Sequence, residues 1–178
     1  MKIITAPDPK LEKESSPVKL DKKRQQFIKE LKQKIKINDD LGLAAPQVGK
    51  NWRIFAVNLP NQPVQVYLNP KITSHSPTQK RFKIAELNHQ DKKDQPFLEG
   101  CLSVPEIYGA VQRWPEISAS WQDEKGEKKS ATLTNLAAIV FQHELDHLNG
   151  ILFTQRLLKQ GGQVYQTKNG RLQEISLT

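Results

Sequence analysis

Cysteine occurs once among the 178 residues, at Cys101, and methionine once. A single cysteine cannot close an internal disulfide, so the fold must hold through its core, and a reducing compartment suits it. Long apolar runs are missing too. Nothing approaches the roughly 20 residues that cross a bilayer, and residues 1–11 show no apolar stretch or cleavage site of an export signal. A cytoplasmic protein without direct membrane binding is therefore expected. Internal repeats and low-complexity segments are also lacking.

Hydrophobic residues make up 37 %, enough for a globular chain, and the length predicts one domain spanning 1–178 with a single core. Lys and Arg number 27 against 19 Asp and Glu, a net charge of +8, with a concentration between Asp21 and Lys36. That excess bears on solubility and anionic partners and not on fold.

Phe27, Leu31 and Ile35 recur at helical spacing, which predicts a helix from Asp21 to Lys36 with Asp21 as N-cap. Small residues and Pro46 predict a tight loop over Asp40–Gly49. Strands are expected at Trp52–Asn58 and at Val64–Asn69, the latter closed by Pro70. Others are expected at Arg81–Leu87, Ala110–Arg113, Glu116–Gln122 and Glu127–Leu133, with an exposed loop over Asn88–Pro96. A second helix starts at Thr134, aligns Leu136, Ile139, Val140, His143 and His147 on one face, and stops at Asn149-Gly150. Gln163–Thr167 and Arg171–Leu177 flank Lys168-Asn169-Gly170 as a hairpin. The fold class is α+β: antiparallel sheets packed around a central helix that carries the HExxH motif, with one further N-terminal helix.

That motif is His143-Glu144-Leu145-Asp146-His147. Histidines four apart on a helix project from one face, so both imidazoles can reach one metal. Glu144, beside the first, can take a proton from a water activated by the metal. A catalytic site needs a third protein ligand and one open position. A His six residues after the second, as in one class of zinc proteases, is excluded because that position is Phe153. Glu174 is the reasonable downstream carboxylate. His75 and His89 lie in a stretch that offers them no helpful surroundings. Cys101, in a Gly-rich apolar motif, offers a thiolate that suits Fe(II) or Zn(II).

Three segments in order, Gly42-Leu43-Ala44-Ala45-Pro46-Gln47, Glu99-Gly100-Cys101-Leu102-Ser103 and Gln142-His143-Glu144-Leu145-Asp146-His147, resemble the signature motifs of the peptide deformylases. Pro7-Asp8-Pro9 and Leu11 resemble that family's start, and the likeness runs to about Leu158. The resemblance implies an enzyme that removes the formyl group from the N-terminal formylmethionine of newly made polypeptides. It implies Cys101, His143 and His147 as ligands of one divalent metal, Fe(II) in the cell, with Zn(II), Ni(II) or Co(II) as alternatives. A metal-bound hydroxide would attack the formyl carbon with Glu144 as general acid/base. Gln47 and the Leu102 backbone N–H would stabilise the oxyanion.

The substrate-binding set implied is Leu41, Gly42, Glu99, Gly100, Leu136, Ile139 and Val140. Gly42 would offer strand-like backbone hydrogen bonds, and Leu41, Leu136, Ile139 and Val140 would line the methionine pocket. Arg113 is expected as an ion-pair partner of Asp146 or Glu99. Asp40 stands where the family usually has Gly, the stretch from Pro70 to Glu99 is long for the family, and the tail hairpin replaces a helix found in some members. Partners expected are formylmethionyl nascent peptides and the ribosome near its exit tunnel, with the enzyme acting as a monomer. Two rivals remain. One is a zinc endopeptidase using a downstream acid and indifferent to Cys101. The other is a basic RNA- or ribosome-binding module, disfavoured because the basic residues lack interleaved aromatics.

Overall fold

Alternation in one short strand decides the layering. In β2 (Ile54–Val57), Ile54 and Ala56 join Phe27, Ile28, Leu31 and Ile35 in one core cluster, while Phe55 and Val57 join Ala138, Val140, Phe141 and Leu145 in another. Successive strand residues point to opposite faces. The sheet therefore carries α1 (Lys22–Asn38) on one side and α3 (Asn135–Leu148) on the other. The computed structural model describes residues 1–38, 40–87 and 94–175.

That sheet has five strands in the order β1-β2-β3-β6-β7, all antiparallel. Its members are β1 (Gly42–Ala44), β2, β3 (Gln65–His75), β6 (Glu116–Gln122) and β7 (Lys128–Thr134). A four-stranded sheet, β4-β5-β8-β9, is formed by β4 (Glu99–Cys101), β5 (Val104–Gly109), β8 (Val164–Lys168) and β9 (Arg171–Ile175). Two short helices, α2 (Ile84–Leu87) and α4 (Phe153–Lys159), complete the described elements with two 3-10 turns. Phe55, Tyr67 and Phe141 meet at centroid distances of 4.8, 5.2 and 5.3 Å, in tilted and edge-to-face geometry that aromatic quadrupoles favour. They fix α3 against the sheet.

The α+β class and the central HExxH helix stand as expected, and so do α1, β2, β6, β7 and the tail hairpin. Asp21 does cap α1, its Oδ1 accepting the Arg24 N–H at 2.8 Å. Thr134 occupies the N-cap of α3 but makes no side-chain cap hydrogen bond. The hairpin turns through Asn169 and Gly170, both at positive φ, as a two-residue turn requires. Its last expected residues, 176 and 177, lie outside the described residues, as do His89 and the rest of 88–93 in the expected Asn88–Pro96 loop.

Four expectations change. The Asp40–Gly49 loop contains β1, paired with β2 from Gly42↔Val57 to Ala44↔Phe55, followed by a 3-10 turn at Ala45–Val48. Pro70 does not close β3. The register shifts between Leu68 and Lys71, with Asn69 at φ 51°, and the irregularity absorbs the missing proline N–H. Arg81–Leu87 is no strand: α2 occupies its end, with Glu86 Oε2 accepting the Lys83 N–H at 2.7 Å. The strand expected at Ala110–Arg113 lies earlier, as β5. Arg113 makes an isolated bridge to Lys80, their N–H groups donating reciprocally at 2.9 and 3.0 Å.

Candidate metal centre

Edges of both sheets and one face of α3 meet around a cleft of about 510 Å³. Gly42 reaches it from β1 with Leu41 just before that strand, Glu99, Gly100 and Cys101 from β4, and Ile139, Val140, His143 and Glu144 from α3. Each contributor is placed by a local rule. His143 and His147, one turn apart, project from the buried face of α3, their rings 5.0 Å apart. Cys101 ends β4 at a register shift against β5, which turns its side chain inward.

Cys101, His143 and His147 are the one group of potential metal ligands among the described residues, with all three ligand atoms within 4.8 Å of one another. Cys101 Sγ lies 3.2 Å from His147 Nε2. A tetrahedral ion with Zn–S near 2.3 Å and Zn–N near 2.0–2.1 Å separates such donors by roughly 3.5 Å, so the set fits a divalent metal. His143 Nδ1 lies 2.8 Å from Glu99 Oε2, which leaves Nε2 for the trio. Glu174 accepts from Gln163 Nε2 on the hairpin and is not part of this group. His75 stacks on Trp114 at 3.9 Å.

Burial opposes charge here, and neighbours overrule it. Desolvation pushes the Cys101 thiol up, but the charge of His147 and hydrogen bonds from both histidines hold it well below its ordinary value. Desolvation pushes His143 down, while Cys101 and Glu99 raise it well above the usual range. Glu99 is also buried, yet the Arg113 guanidinium and His143 bring it down to about 2. Glu144 is the exception. Burial raises it to about 7, against the charges of His143 and His147 and with help from Cys101 and Asp40. Its Oε2 is buried and has no hydrogen-bond partner among the described residues.

The neighbouring groups are fixed. Gln47, 2 % exposed, accepts the Ala44 N–H on Oε1 at 2.7 Å. That bond aims Nε2 at Cys101 Sγ, 3.4 Å away, and Ser103 Oγ, 3.3 Å away. Leu102 lines the cleft directly after Cys101. Leu136 is not among the lining residues and packs instead against the core cluster of Phe55 and Phe141. Glu99 lies at the cleft wall, but both its carboxylate oxygens are engaged by Arg113, so it faces His143 and not an incoming ligand. Arg113 pairs with both acids expected of it, donating to Asp146 Oδ2 at 2.6 Å. Ser103 and Arg156 were not singled out from the sequence. Ser103 sits inside the Cys101 motif, but Arg156 lies on α4, which no cap or periodicity marks.

A family model described as polypeptide deformylase matches residues 1–162. The peptide deformylase of Thermotoga petrophila is 39 % identical over 151 residues, covering 84 % of this chain and 82 % of that protein. That of Desulfotalea psychrophila is 33 % identical over 94 % of each chain. Among solved structures, the peptide deformylase of Thermotoga maritima superposes with a TM-score of 0.76 at 34 % identity, covering 87 % of this chain and 95 % of that one.

Proposed function

Because this chain belongs to the polypeptide deformylase family, it is a metal-dependent hydrolase that removes the formyl group from nascent polypeptides, and we propose that Cys101, His143 and His147 hold its metal while Glu144 moves the protons. The observation that carries this reading is Glu144 itself. Its carboxylate is buried, lacks a partner on Oε2 among the described residues, is raised to about 7, and faces the cleft beside the three ligand atoms. A group poised near neutrality can both take and give a proton at the working pH.

When bound, the metal polarises the formyl carbonyl and makes a water molecule more acidic. Glu144 takes the proton of the attacking water on Oε2 and then delivers it to the departing amine. Gln47 Nε2 and the Leu102 N–H donate to the formyl oxygen as negative charge develops there. The Ala44 bond to Gln47 Oε1 holds that amide in place beforehand. Leu41, Ile139 and Val140 supply an apolar wall for an unbranched thioether side chain. Gly42, at the free edge of β1, offers its backbone to the peptide, with Gly100 on the opposite sheet edge.

The mixed thiolate and imidazole set accepts Fe(II), Zn(II), Ni(II) and Co(II), and we assign Fe(II) to the cell. The enzyme acts as a monomer on nascent chains in the cytoplasm, near the ribosomal exit tunnel. No described helix is long and apolar enough to cross a membrane.

The test is formate release from a formyl-Met peptide by metal-loaded protein. Formyl-Met peptides should turn over far faster than acetyl-Met peptides, because the extra methyl crowds the attacked carbonyl. Equal rates, or cleavage of internal bonds in unformylated casein, would overturn the assignment in favour of an endopeptidase.

A further inference from the structure

We propose that Arg156, outside the cleft lining, is a positioning residue for His143 and acts on it through Asp146, Arg113 and Glu99. The inference rests on the reading of Cys101, His143 and His147 as metal ligands. The path is continuous. Arg156 Nε and Nη2 donate to Oδ2 and Oδ1 of Asp146 in a two-pronged contact. Asp146 Oδ2 also accepts from Arg113 Nη1 at 2.6 Å. Arg113 Nε and Nη2 then donate to Glu99 Oε1 and Oε2, both at 2.8 Å. Glu99 Oε2 meets His143 Nδ1, again at 2.8 Å.

Charge alternates along this path, so the four ion-paired groups sum to zero with Arg156 and to minus one without it. The side chains of Arg113, Glu99 and Asp146 are at most 5 % exposed, while Arg156 is 31 % exposed. A buried group in this network cannot turn to water when it loses a partner. Planar forks transmit orientation as well as charge, since each guanidinium fixes the plane of the carboxylate it grips. Without Arg156, Asp146 keeps Arg113 as its one arginine partner, and the surplus negative charge draws Arg113 toward Asp146. The fork on Glu99 loosens, and with it the bond that sets the His143 ring. Asp146 lies between the two histidines on α3, so Arg156 also anchors the ligand-bearing turn to α4. Groups that orient a ligand histidine in this way govern metal affinity.

Co(II) titration of the full-length apoprotein tests the idea, read by affinity and by the visible bands of the cobalt and its thiolate. Arg156→Gln should bind Co(II) about 10- to 100-fold more weakly and with shifted bands. Arg156→Lys, which keeps the charge without the fork, should fall between that variant and the wild type. Gln155→Ala serves as the control for α4 docking, because Gln155 Oε1 caps the helix through the Leu152 N–H at 3.0 Å and is not in the path. It should keep wild-type affinity and bands even if its unfolding midpoint drops. Wild-type affinity and bands in Arg156→Gln and Arg156→Lys would overturn the proposal. So would a Gln155→Ala protein that loses affinity in step with them. Absence of a thiolate-to-cobalt band in the wild type would instead sink the ligand reading on which the proposal stands.

Discussion

A Cβ placed on Gly42 would lie 2.1 Å from Oε1 of Glu144, 2.6 Å from its Cδ and 2.8 Å from its Cγ. Strand β1 and helix α3 therefore meet with no room for a side chain, and the carboxylate is held in place by bare backbone. Ordinary contact starts at 3.4 Å, so Gly42→Ala must push Oε1 back by about 1.3 Å. Displacements near 1 Å cost roughly 100-fold in rate. Gly42→Ala should lose about that much in kcat while metal content stays stoichiometric, because the three atoms nearest the new methyl all belong to Glu144. Steady-state kinetics with metal analysis on the same sample decide it. An unchanged kcat would mean that the position of Glu144 does not matter.

Removing the carboxylate itself separates proton transfer from metal binding. Glu144 is buried beside the ligand trio but does not belong to it. Glu144→Ala should retain near-stoichiometric metal and lose about 10²- to 10⁴-fold in rate, the usual contribution of a positioned acid/base. If metal and activity vanish together, Glu144 is a ligand and the role assigned to it is wrong.

Tyr67 gives a pH signature of the core that is independent of the metal. Burial pushes its hydroxyl from the ordinary 10.0 up to about 12. A folded-state value above the unfolded one means that the folded protein holds this proton longer. The associated stability is complete below pH about 10 and is lost as pH rises toward 12. Alkaline titration of phenolate absorbance should show one of the three tyrosines ionising only near pH 12, and Tyr67→Phe should delete that step. Full ionisation of all tyrosines by pH 11 in folded protein would show that water reaches this part of the core.

The parts of this architecture that were legible in the sequence are those with a sustained period. Leu136, Ile139, Val140, His143 and His147 mark α3 because one helix face repeats over about three turns. Strand β2 is legible because Ile54 and Phe55 begin an alternation that both sheet faces use. The cleft walls were harder to read. Strands β4 and β5 are interrupted between Gly100 and Val104, and Glu106 adopts φ 63° inside β5. Such a bulge erases the two-residue period. Residues Arg81–Leu87 alternate like a strand, but the single helical turn at their end, Ile84–Leu87, is too short to show its own period. Motif residues point to the candidate ligands, while Arg156 could not be found this way. Its role comes from a partner, Asp146, ten positions away across a helix boundary, and nothing local marks it. Leu136 shares the stripe of Ile139 but lies one turn nearer the helix start, where it meets the core and not the cleft.

A Cys101 thiolate in the proposed metal centre should make it sensitive to oxygen. Cys101 is only partly buried, lines the cleft, and is held well below the ordinary thiol value despite its desolvation, by the charge of His147 and hydrogen bonds from His143 and His147. Thiolates in accessible positions oxidise first to sulfenic and then to sulfinic acid. Fe(II) reduces dioxygen, and the nearest oxidisable side chain to an ion held by this trio is the sulfur of Cys101. Ni(II) and Co(II) forms share the ligands without that readiness. The Fe(II) protein should therefore lose activity and metal in air, while the Ni(II) or Co(II) protein keeps both. Mass spectrometry should place one or two added oxygen atoms on the peptide containing Cys101, and on no methionine-containing peptide at the same rate. An Fe(II) protein that stays active in air with Cys101 unmodified would refute this route. Cys101→Ala provides the independent check, because an alanine has nothing to offer an ion and leaves two imidazoles. That variant should bind metal far more weakly whatever the ion and whatever the oxygen level. If it retains full-strength binding and activity, the assignment of Cys101 as a ligand fails together with the oxidation chemistry built on it.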